Sequence, residues 1–263
     1  MTKIVGILNI TPDSFFDGGR YDEKENALNQ LGILLQQGAN VVDIGAESTR
    51  PNAVMILPDE EMQRLRDILP LIIQEVQKYN QKNHKNIEIS LDSRHSQTLF
   101  WALGLGIDII NDVSGFVDLK MINLAVKSGK KIVAMHNLGV PASRNKIVDE
   151  SLDVVQVVID WMGNKLQQLL KAGIKKERII FDVGLGFGKN ACQSIKLLKE
   201  IDRLRVLDLP LYVGHSNKSF LDEMTIENCA TRAEKTIAVS KYLVEKNIEY
   251  LRVHKPFNLQ KLA

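Results

Sequence analysis

Eight short apolar runs, each separated from the next by a longer segment, constrain the fold of this sequence more than any other feature. Many of their residues are β-branched, and they lie at Ile4–Asn9, Asn40–Asp43, Ile87–Asp92, Ile107–Asn111, Lys131–His136, Arg178–Asp182, Leu211–Gly214 and Tyr250–Val253. Runs that are apolar at nearly every position are typical of parallel strands that are buried on both faces. We therefore predict eight strands in one parallel sheet.

The segments between these runs have the period of amphipathic helices. In "DEEMQRLRDILPLIIQEVQKYN", for example, apolar residues recur every three or four positions from Met62 to Ile72. We expect this helix to start near Asp59 and to kink at Pro70. Similar segments follow each of the other predicted strands, except the last.

Eight such units in 263 residues match the size of an α/β fold of the (β/α)8 type, a TIM barrel with an eight-stranded parallel core. A doubly wound open sheet would carry a glycine fingerprint directly after its first strand. Here the first run is followed by "TPDSFFDGG", which indicates a loop. No low-complexity linker interrupts the alternation, so we expect a single domain over residues 1–263.

The composition excludes several classes of partner and location. The net charge is only +2 and charges of both signs are interspersed, so no basic stripe indicates nucleic acid. Cys192 and Cys229 match neither a metal spacing nor a disulfide framework, which suits a reducing compartment. The opening "MTKIVGILNI" is too short for a signal peptide or a membrane span. We expect a cytoplasmic protein that binds no membrane.

Polar or charged residues stand at the C-terminal ends of all eight predicted strands. They are Asn9, Asp43, Asp92, Asn111, His136, Asp182, the His215–Lys218 group, and Arg252 with His254. Each alone could cap a helix or close a turn. In a barrel, however, these ends meet at one mouth, where active sites form.

The mixture of charges at these ends indicates what the mouth would bind. Three carboxylates are opposed by basic side chains at Lys218, Arg50, Arg252 and His254. Acids near a low-dielectric mouth require cations or donors on a ligand. The set therefore predicts a pocket with a polar heterocycle at one end and an anion at the other.

Three glycines alternate with Leu185 and Phe187 in "DVGLGFGK", before Lys189. A Walker A loop is excluded, because Val183 stands where its first glycine belongs and Asn190 follows the lysine. The glycines suit a tight crossing from strand to helix. Phe187, which has glycines on both sides, is displayed as a possible aromatic wall of a binding site.

Two further loops are unusual. "ESTRPNA" follows a buried strand and includes Pro51, so it predicts an exposed loop of some rigidity. In "GHSNKSF", Lys218 and Ser219 are expected to begin a helix with Ser216 as its cap. A helix N-terminus also offers donors to an anion.

Taken together, the motifs "GILNITPDSFFDGG", "VVDIGAESTRP", "ISLDS", "INDVSG", "DVGLGFGK", "GHSNKSF" and "LRVH" closely resemble the dihydropteroate synthase family in order and spacing. That family consists of pterin-binding TIM barrels. The resemblance implies a transferase of folate biosynthesis that joins 6-hydroxymethyl-7,8-dihydropterin pyrophosphate to 4-aminobenzoate. It also implies Mg²⁺ as cofactor, small-molecule substrates, a possible homodimer and a sulfonamide target.

The resemblance further implies a role for individual residues. The pterin pocket would be lined by Asp92, Asn111, Asp182 and Lys218, with the carboxylate of Asp182 pairing with the 2-amino group and the adjacent ring N–H. Arg252 would stack beside the pterin and, with His254, hold the departing pyrophosphate, whose Mg²⁺ Asn9 helps to place. The aminobenzoate site would consist of Thr49, Arg50, Pro51, Phe187 and Ser219. Asp43 is expected among the substrate-binding residues, and the catalytic ones would be Asp92, Lys218, Arg252 and His254.

The sequence departs from the family pattern at a few positions. Val183 stands in place of a proline, Asn217 in place of an arginine and Ala46 in place of a glycine. "NLQKLA" stands where the family has a full last helix, so that helix is expected to be truncated.

Two other functions fit part of the pattern. A pterin-binding methyltransferase that uses methyltetrahydrofolate would share the barrel and the acids, but would not need the "TPDSF" and "ESTRP" loops or the final Arg–x–His. A non-catalytic pterin-binding paralogue is favoured by Asn217 and by the short tail.

Overall fold

The eight strands form a closed barrel in which every strand is parallel to its two neighbours, in the order of the sequence. The structure is a computed structural model that describes residues 1–11, 20–49, 53–143 and 145–257. The strands are β1 (Lys3–Asn9), β2 (Val41–Gly45), β3 (Glu88–Asp92), β4 (Ile109–Asp112), β5 (Lys131–Met135), β6 (Ile179–Asp182), β7 (Leu211–Val213) and β8 (Tyr250–Val253). The predicted (β/α)8 barrel is confirmed, and every predicted run overlaps a strand.

Side chains that alternate along the strands fill the barrel interior. An apolar layer closes the barrel at mid-height and consists of Val5, Val41, Ile109, Val133, Ile180, Tyr212 and Tyr250. The rings of Tyr212 and Tyr250, on neighbouring strands, stack with centroids 6.1 Å apart. Interior residues of such barrels pack in layers of this kind. The barrel is therefore a filled core, and a ligand site can form only above or below this layer.

A partly exposed ion cluster lies below the apolar layer, at the N-terminal ends of the strands. Glu88 of β3 pairs with Lys3 of β1 and with Lys131 of β5, the latter at 2.6 Å between Nζ and Oε1. Burial raises the pKa of Glu88, but the two lysines more than offset this effect and hold its pKa below the ordinary value. A carboxylate shared by two ammonium groups ties three strands together across the barrel floor.

The helices are connected to the strands as the alternation predicts. In the described part of the chain they are α1 (Arg20–Gln36), α2 (Pro58–Arg66), α3 (Leu69–Asn83), α4 (Ser96–Leu105), α5 (Leu119–Ser128), α6 (Val154–Lys171), α7 (Ala191–Lys199) and α8 (Arg232–Glu245). Short 3₁₀ helices cover Lys176–Arg178, Ile201–Leu207 and Ser219–Glu223. The expected last helix would fall partly on residues 258–263, outside the described residues. None of the described helices is long and apolar enough to cross a membrane.

The single kinked helix expected after β2 is in fact two helices. α2 ends at Arg66 and α3 begins at Leu69, so that Pro70 lies in the first turn of α3 and does not kink a continuous helix. Proline is well tolerated there, because the N–H that it lacks would have no partner within the helix. The prediction of a kink was wrong for that reason.

Candidate active site

The polar residues at the strand ends form a layer directly above the apolar layer. Because side chains alternate along a strand, a residue two positions beyond an interior residue also faces the interior. On four strands the pairs are Val41 and Asp43, Ile109 and Asn111, Ile180 and Asp182, and Tyr250 and Arg252. The structure thus brings acids, an amide and an arginine from four separate strands into one mouth.

Arg252 lies at the centre of this layer and bridges two carboxylates. Its Nε donates to Oδ2 of Asp43 across 2.6 Å, and its Nη2 donates to Oδ2 of Asp92 across 2.8 Å. Asp43 has no exposed surface and also accepts from Nδ2 of Asn111 at 3.2 Å. Burial lowers the pKa of Arg252, but the two carboxylates outweigh this effect and raise it. The guanidinium therefore stays charged and is held in a fixed orientation.

The surroundings of Asp92 raise the pKa of its carboxyl group. Burial raises the pKa of Asp92, and the nearby Asp43 raises it further, while the charge of Arg252 opposes both effects. Its side chain is 13% exposed, whereas that of Asp43 is fully buried. Asp92 is therefore the carboxylate of this pair that faces a ligand in the mouth.

The second half of the mouth is built by Asp182, Lys218 and Phe187. The N–H of Gly184 donates to Oδ1 of Asp182 at 2.8 Å, and burial raises the pKa of this carboxyl. Burial also lowers the pKa of Lys218 to about 8, against the opposing effect of Asp182. The ammonium of Lys218 donates to the carbonyl of Leu185 at 2.5 Å and lies 4.9 Å from the centre of the Phe187 ring. This distance is within the range of a cation–π contact, so the lysine and the aromatic wall position each other.

The two halves of the mouth meet at Gly214, directly after β7. A Cβ at this position would lie 3.8 Å from Cδ of Arg252 and 4.0 Å from Nζ of Lys218. The two cationic side chains therefore approach each other across a residue that has no side chain. This leaves open space between them at the floor of the mouth.

Lys189 of the glycine-rich loop points inward. Its buried ammonium lies 2.8 Å from Nδ1 of His136 and donates to the carbonyls of Gly184 at 2.9 Å and Phe187 at 3.0 Å. Burial lowers the pKa of Lys189 to about 7. Burial, together with the charge of Lys189, lowers the pKa of His136 to about 3, so the histidine is neutral and accepts a hydrogen bond. The lysine holds the loop from inside and leaves the mouth to other groups. Sequence reasoning missed this role, and the signal that could have indicated it is a lysine directly after a glycine-rich loop.

The glycines of this loop adopt conformations that other residues rarely reach. Gly184 and Gly188 have φ values of +63° and +65°. A Cβ at Gly184 would lie 1.9 Å from the carbonyl oxygen of His136, and one at Gly188 would lie 2.5 Å from Cγ of Leu138. The positive φ values fit the expected tight crossing from β6 to α7, and the loop packs against the segment that follows β5.

His254 and Ser216 meet at the rim. Oγ of Ser216 lies 3.0 Å from Nδ1 of His254 and accepts from the backbone N–H of His254 at 3.3 Å. The 3₁₀ helix that begins at Ser219 has no side-chain cap, so the expected capping role of Ser216 was wrong. The serine instead orients the imidazole, and this pairing joins the loop after β7 to the end of β8.

Asn9 lies on the other side of the mouth, beside Asp92. A Cβ placed on Gly45 would be 3.7 Å from Oδ1 of Asn9 and 3.6 Å from Cβ of Asp92, so the glycine separates the two. Thr49 is half-buried, and its carbonyl accepts from the N–H of Ala142 at 3.4 Å. Ser219 is exposed at the rim. Arg50 and Pro51, expected in the aminobenzoate site, lie outside the described residues.

The arrangement has two chemically distinct ends. Asp182 and Lys218 offer an acceptor and a donor side by side, which suits the edge of a planar heterocycle. Arg252, on β8, and His254, directly after this strand, offer donors to an anion. No group of three or more His, Cys, Asp or Glu side chains in the described ranges could hold a metal ion by itself.

Comparisons with known proteins agree with this geometry. A family model described as "Pterin binding enzyme" matches residues 5–254. The chain is 36% identical over 256 residues to a protein of Streptococcus pyogenes serotype M3 named dihydropteroate synthase, covering 95% of this chain and 89% of that one. It is 34% identical to a Haloferax volcanii protein named probable bifunctional folylpolyglutamate synthase/dihydropteroate synthase; the match covers 96% of this chain but spans only 29% of that protein.

Solved structures are similar over nearly the whole chain. Dihydropteroate synthase from Anaplasma phagocytophilum, with bound 6-hydroxymethylpterin-monophosphate, matches with a TM-score of 0.87 and 35% identity, covering 99% of this chain and 96% of that one. The enzyme from Xanthomonas albilineans, with 4-aminobenzoic acid, matches with a TM-score of 0.86 and 28% identity, covering 99% and 90%.

Proposed function

We propose that this chain, which belongs to the pterin-binding enzyme family, is a dihydropteroate synthase. It joins 6-hydroxymethyl-7,8-dihydropterin pyrophosphate to 4-aminobenzoate and gives 7,8-dihydropteroate and pyrophosphate. The observation that carries the proposal is the constellation at one barrel mouth, where a heterocycle-reading acid and lysine lie beside an arginine and a histidine. Relatives that share this barrel over their full length bind a pterin phosphate in one structure and 4-aminobenzoic acid in another.

The pterin ring lies against Asp182 and Lys218. Oδ1 of Asp182 is taken by the N–H of Gly184, and Oδ2 receives no hydrogen bond from the described part of the chain. Oδ1 keeps a second lone pair, so the two oxygens of this carboxylate together accept from the 2-amino group and the adjacent ring N–H of the pterin. Lys218 donates to a ring acceptor, and Asn111 and Asp92 complete the polar lining.

The anionic end of the substrate lies at Arg252 and His254. Asp43 has no exposed surface, so it acts on the substrate through the two groups that it holds, Arg252 and Asn111. Preorganised donors are effective because they need not reorient when charge develops. The Asp43 carboxylate supplies this preorganisation from below, while Ser216 does the same for the imidazole of His254.

The amine substrate binds above the pterin, between the loop after β2 and the glycine-rich loop. Phe187 forms one wall, with its ring held by the ammonium of Lys218. Thr49 and Ser219, with Arg50 and Pro51 from outside the described residues, complete the site. A half-buried aromatic side chain beside polar residues suits a flat ring with a carboxylate at one end.

Mg²⁺ fits this donor set as an ion that arrives with the pyrophosphate. Mg²⁺ keeps several waters and is usually bound through substrate phosphates and one or two protein oxygens. Oδ1 of Asn9, beside the open position at Gly45, is a suitable oxygen at the mouth. When bound there, the ion would neutralise negative charge on the leaving pyrophosphate.

The chain's own residues account for the rest of the reaction. As the bond between the pterin methylene and pyrophosphate breaks, negative charge grows on the leaving group near Arg252 and His254. Positive charge grows on the methylene, which is conjugated with the ring and is stabilised by the carboxylates of Asp92 and Asp182. The nitrogen of the arylamine then bonds to the methylene and gives up one proton to the departing pyrophosphate or to water. Because the neutral arylamine is already nucleophilic, no strong general base is required.

A turnover assay of the purified protein tests the proposal. We expect release of pyrophosphate and formation of 7,8-dihydropteroate only when both substrates and Mg²⁺ are present. Isotope-labelled methyl transfer from methyltetrahydrofolate to a corrinoid protein would instead indicate the methyltransferase. Tight binding of a pterin analogue without any turnover would indicate a protein that only binds pterin.

A further inference from the structure

A second network of buried charge lies beside the mouth and joins the loop after β2 to the turn after β3. Nε of Arg94 donates to Oε2 of Glu47 at 2.7 Å, and Nη2 of the same residue donates to Oε1 at 2.8 Å. The side chain of Glu47 is only 6% exposed. We propose that Glu47 and Arg94 are positioning residues that hold the base of the loop after β2, and with it Thr49, in place for the amine substrate. The inference rests on the function proposed above.

Glu47 closes the loop at its base. Besides the two bonds from Arg94, its Oε1 accepts from the backbone N–H of Ile56 at 3.1 Å. This carboxylate therefore joins the two ends of the segment 47–56, which carries Thr49. A bidentate, charge-assisted pair fixes direction as well as distance. The base of the loop cannot leave the turn after β3 without losing both hydrogen bonds from Arg94.

Neighbouring residues hold the same loop from two more sides. Nη1 of Arg64, on α2, donates to the carbonyl of Ala46 at 2.8 Å, directly before Glu47. Oγ of Ser93 donates to Oε2 of Glu61, on the same helix, at 2.7 Å. The loop and the helix that follows it are thus anchored on the turn after β3 through Ser93 and Arg94 together.

The anchoring turn is continuous with the mouth. Asp92, which receives a hydrogen bond from Arg252 inside the barrel, lies two residues before Arg94, which reaches outward to Glu47. The end of β3 therefore contacts the anionic site with one side chain and the amine-binding loop with another. A displacement of this turn would move both.

The charge state of the pair suits a permanent clamp. Burial raises the pKa of Glu47, but the hydrogen bonds and the charge of Arg94 outweigh this effect and hold its pKa below the ordinary value. The pKa of Arg94 is raised by the same pair, although burial opposes this. Both partners stay ionised over the pH range in which the protein would be assayed.

The test compares Glu47→Gln with a matched control at the opposite end of the barrel. Glu249 makes contacts of the same kind as Glu47, although its side chain is more exposed: it accepts from Nη1 of Arg205 at 3.0 Å and from the backbone N–H of Leu211 at 3.0 Å. It lies directly before β8, away from the mouth. Glu249→Gln therefore removes a similar carboxylate without touching the loop.

We expect Glu47→Gln to raise the Michaelis constant for 4-aminobenzoate about tenfold to a hundredfold, the scale of a misplaced binding group. Its affinity for a pterin analogue should stay within about twofold of the wild type. Glu249→Gln should lower the melting temperature without changing either quantity. Arg94→Lys keeps the charge but loses the planar fork, so it should behave like Glu47→Gln and decides the question if that variant does not fold.

Two results would overturn the inference in different ways. If the wild type turns over and both Glu47→Gln and Arg94→Lys keep its Michaelis constant for 4-aminobenzoate, the pair only stabilises the scaffold. If the wild type shows no turnover at all, the proposed function fails and this inference fails with it.

Discussion

Nε of Arg252 donates a hydrogen bond across 2.6 Å to Asp43, a carboxylate without any exposed surface that lies 209 residues earlier in the chain. The contact connects β8 with β2, across the first strand that pairs with both. An arginine held in this way has its orientation set before any ligand arrives.

Replacing Asp182 by asparagine should weaken binding of a pterin analogue and leave the fold intact. This side chain would lose its charge, and a charge-assisted pair is worth roughly 1.5–3 kcal/mol. Calorimetry measures the change directly. Asp118→Asn is the matched control, because this residue caps α5 at the surface and asparagine caps equally well. Unchanged affinity in Asp182→Asn would remove this residue from the pocket.

Removing the imidazole of His254 should lower the turnover number more than it raises the Michaelis constant. Its benefit is largest when the pyrophosphate departs, so we expect His254→Ala to lower turnover by about ten- to a thousandfold. Steady-state kinetics measure both constants. Ser216→Ala is a useful companion, because it leaves the imidazole in place but removes its orienting hydroxyl. Full turnover together with a lower melting temperature would assign His254 to the scaffold.

Lys218→Ala should differ from His254→Ala by also raising the Michaelis constant for the pterin substrate. The lysine touches the pterin both before and after the bond breaks, so its loss weakens the ground state as well. Kinetics with the pterin substrate varied at saturating 4-aminobenzoate measure this constant. A fall in turnover with an unchanged Michaelis constant would contradict contact with the pterin in the ground state.

Gly184→Ala should strongly destabilise the protein. The added Cβ would meet the His136 carbonyl at 1.9 Å, and the φ of +63° alone costs a non-glycine residue about 1–2 kcal/mol. Gly163→Ala is the control: it lies within α6 with nothing within 4 Å of the added atom, and should stabilise by up to about 1 kcal/mol. Denaturant unfolding of both variants measures these effects. Equal stability of the two variants would mean that the glycine-rich loop can move away from His136, directly after β5.

Glu61→Gln should change how stability depends on pH. Burial raises the pKa of Glu61 from the ordinary 4.5 to about 7, so the folded protein keeps a proton there that the unfolded chain has lost. Its contribution to stability is full below pH 4.5 and is lost as the pH rises through 7. Glutamine has no proton to lose. Raising the pH across this range should therefore lower the unfolding free energy of the wild type, relative to that of the variant, by up to about 3 kcal/mol.

Denaturant titrations at about pH 5 and about pH 8 measure the effect of Glu61→Gln. The same substitution at Glu60, on the exposed side of α2, is the control. A difference between variant and wild type that is the same at both pH values would show that Glu61 is already ionised in the folded protein.

The strands could be predicted from the sequence because burial on both faces leaves a continuous apolar run. The prediction was less good at the strand ends: β2 extends past Asp43 to Gly45, and β7 stops at Val213. The break between α2 and α3 could not be predicted, since a proline within a helical pattern fits either a kink or a new first turn. Local pattern does not decide between them.

The residues of the candidate site could be predicted from the sequence more readily than the contacts between them. Strand-end position and residue type were enough to select Asp43, Asp182 and Arg252 as site residues. That Lys189 turns inward depends on His136, which lies 53 residues earlier, and that Glu47 meets Arg94 depends on a partner 47 residues later. Such pairings follow from the three-dimensional path of the chain, which no local pattern contains.

The apolar layer at the middle of the barrel closes the inner end of the mouth, so the pocket has one opening. Tyr212 and Tyr250, with the ion cluster at Glu88 below them, stop any passage along the barrel axis. With the pterin seated against Asp182 as proposed, the amine that arrives above it closes the exit. The pterin substrate must then enter before the amine. Once the two are joined, they leave through the same opening as one molecule.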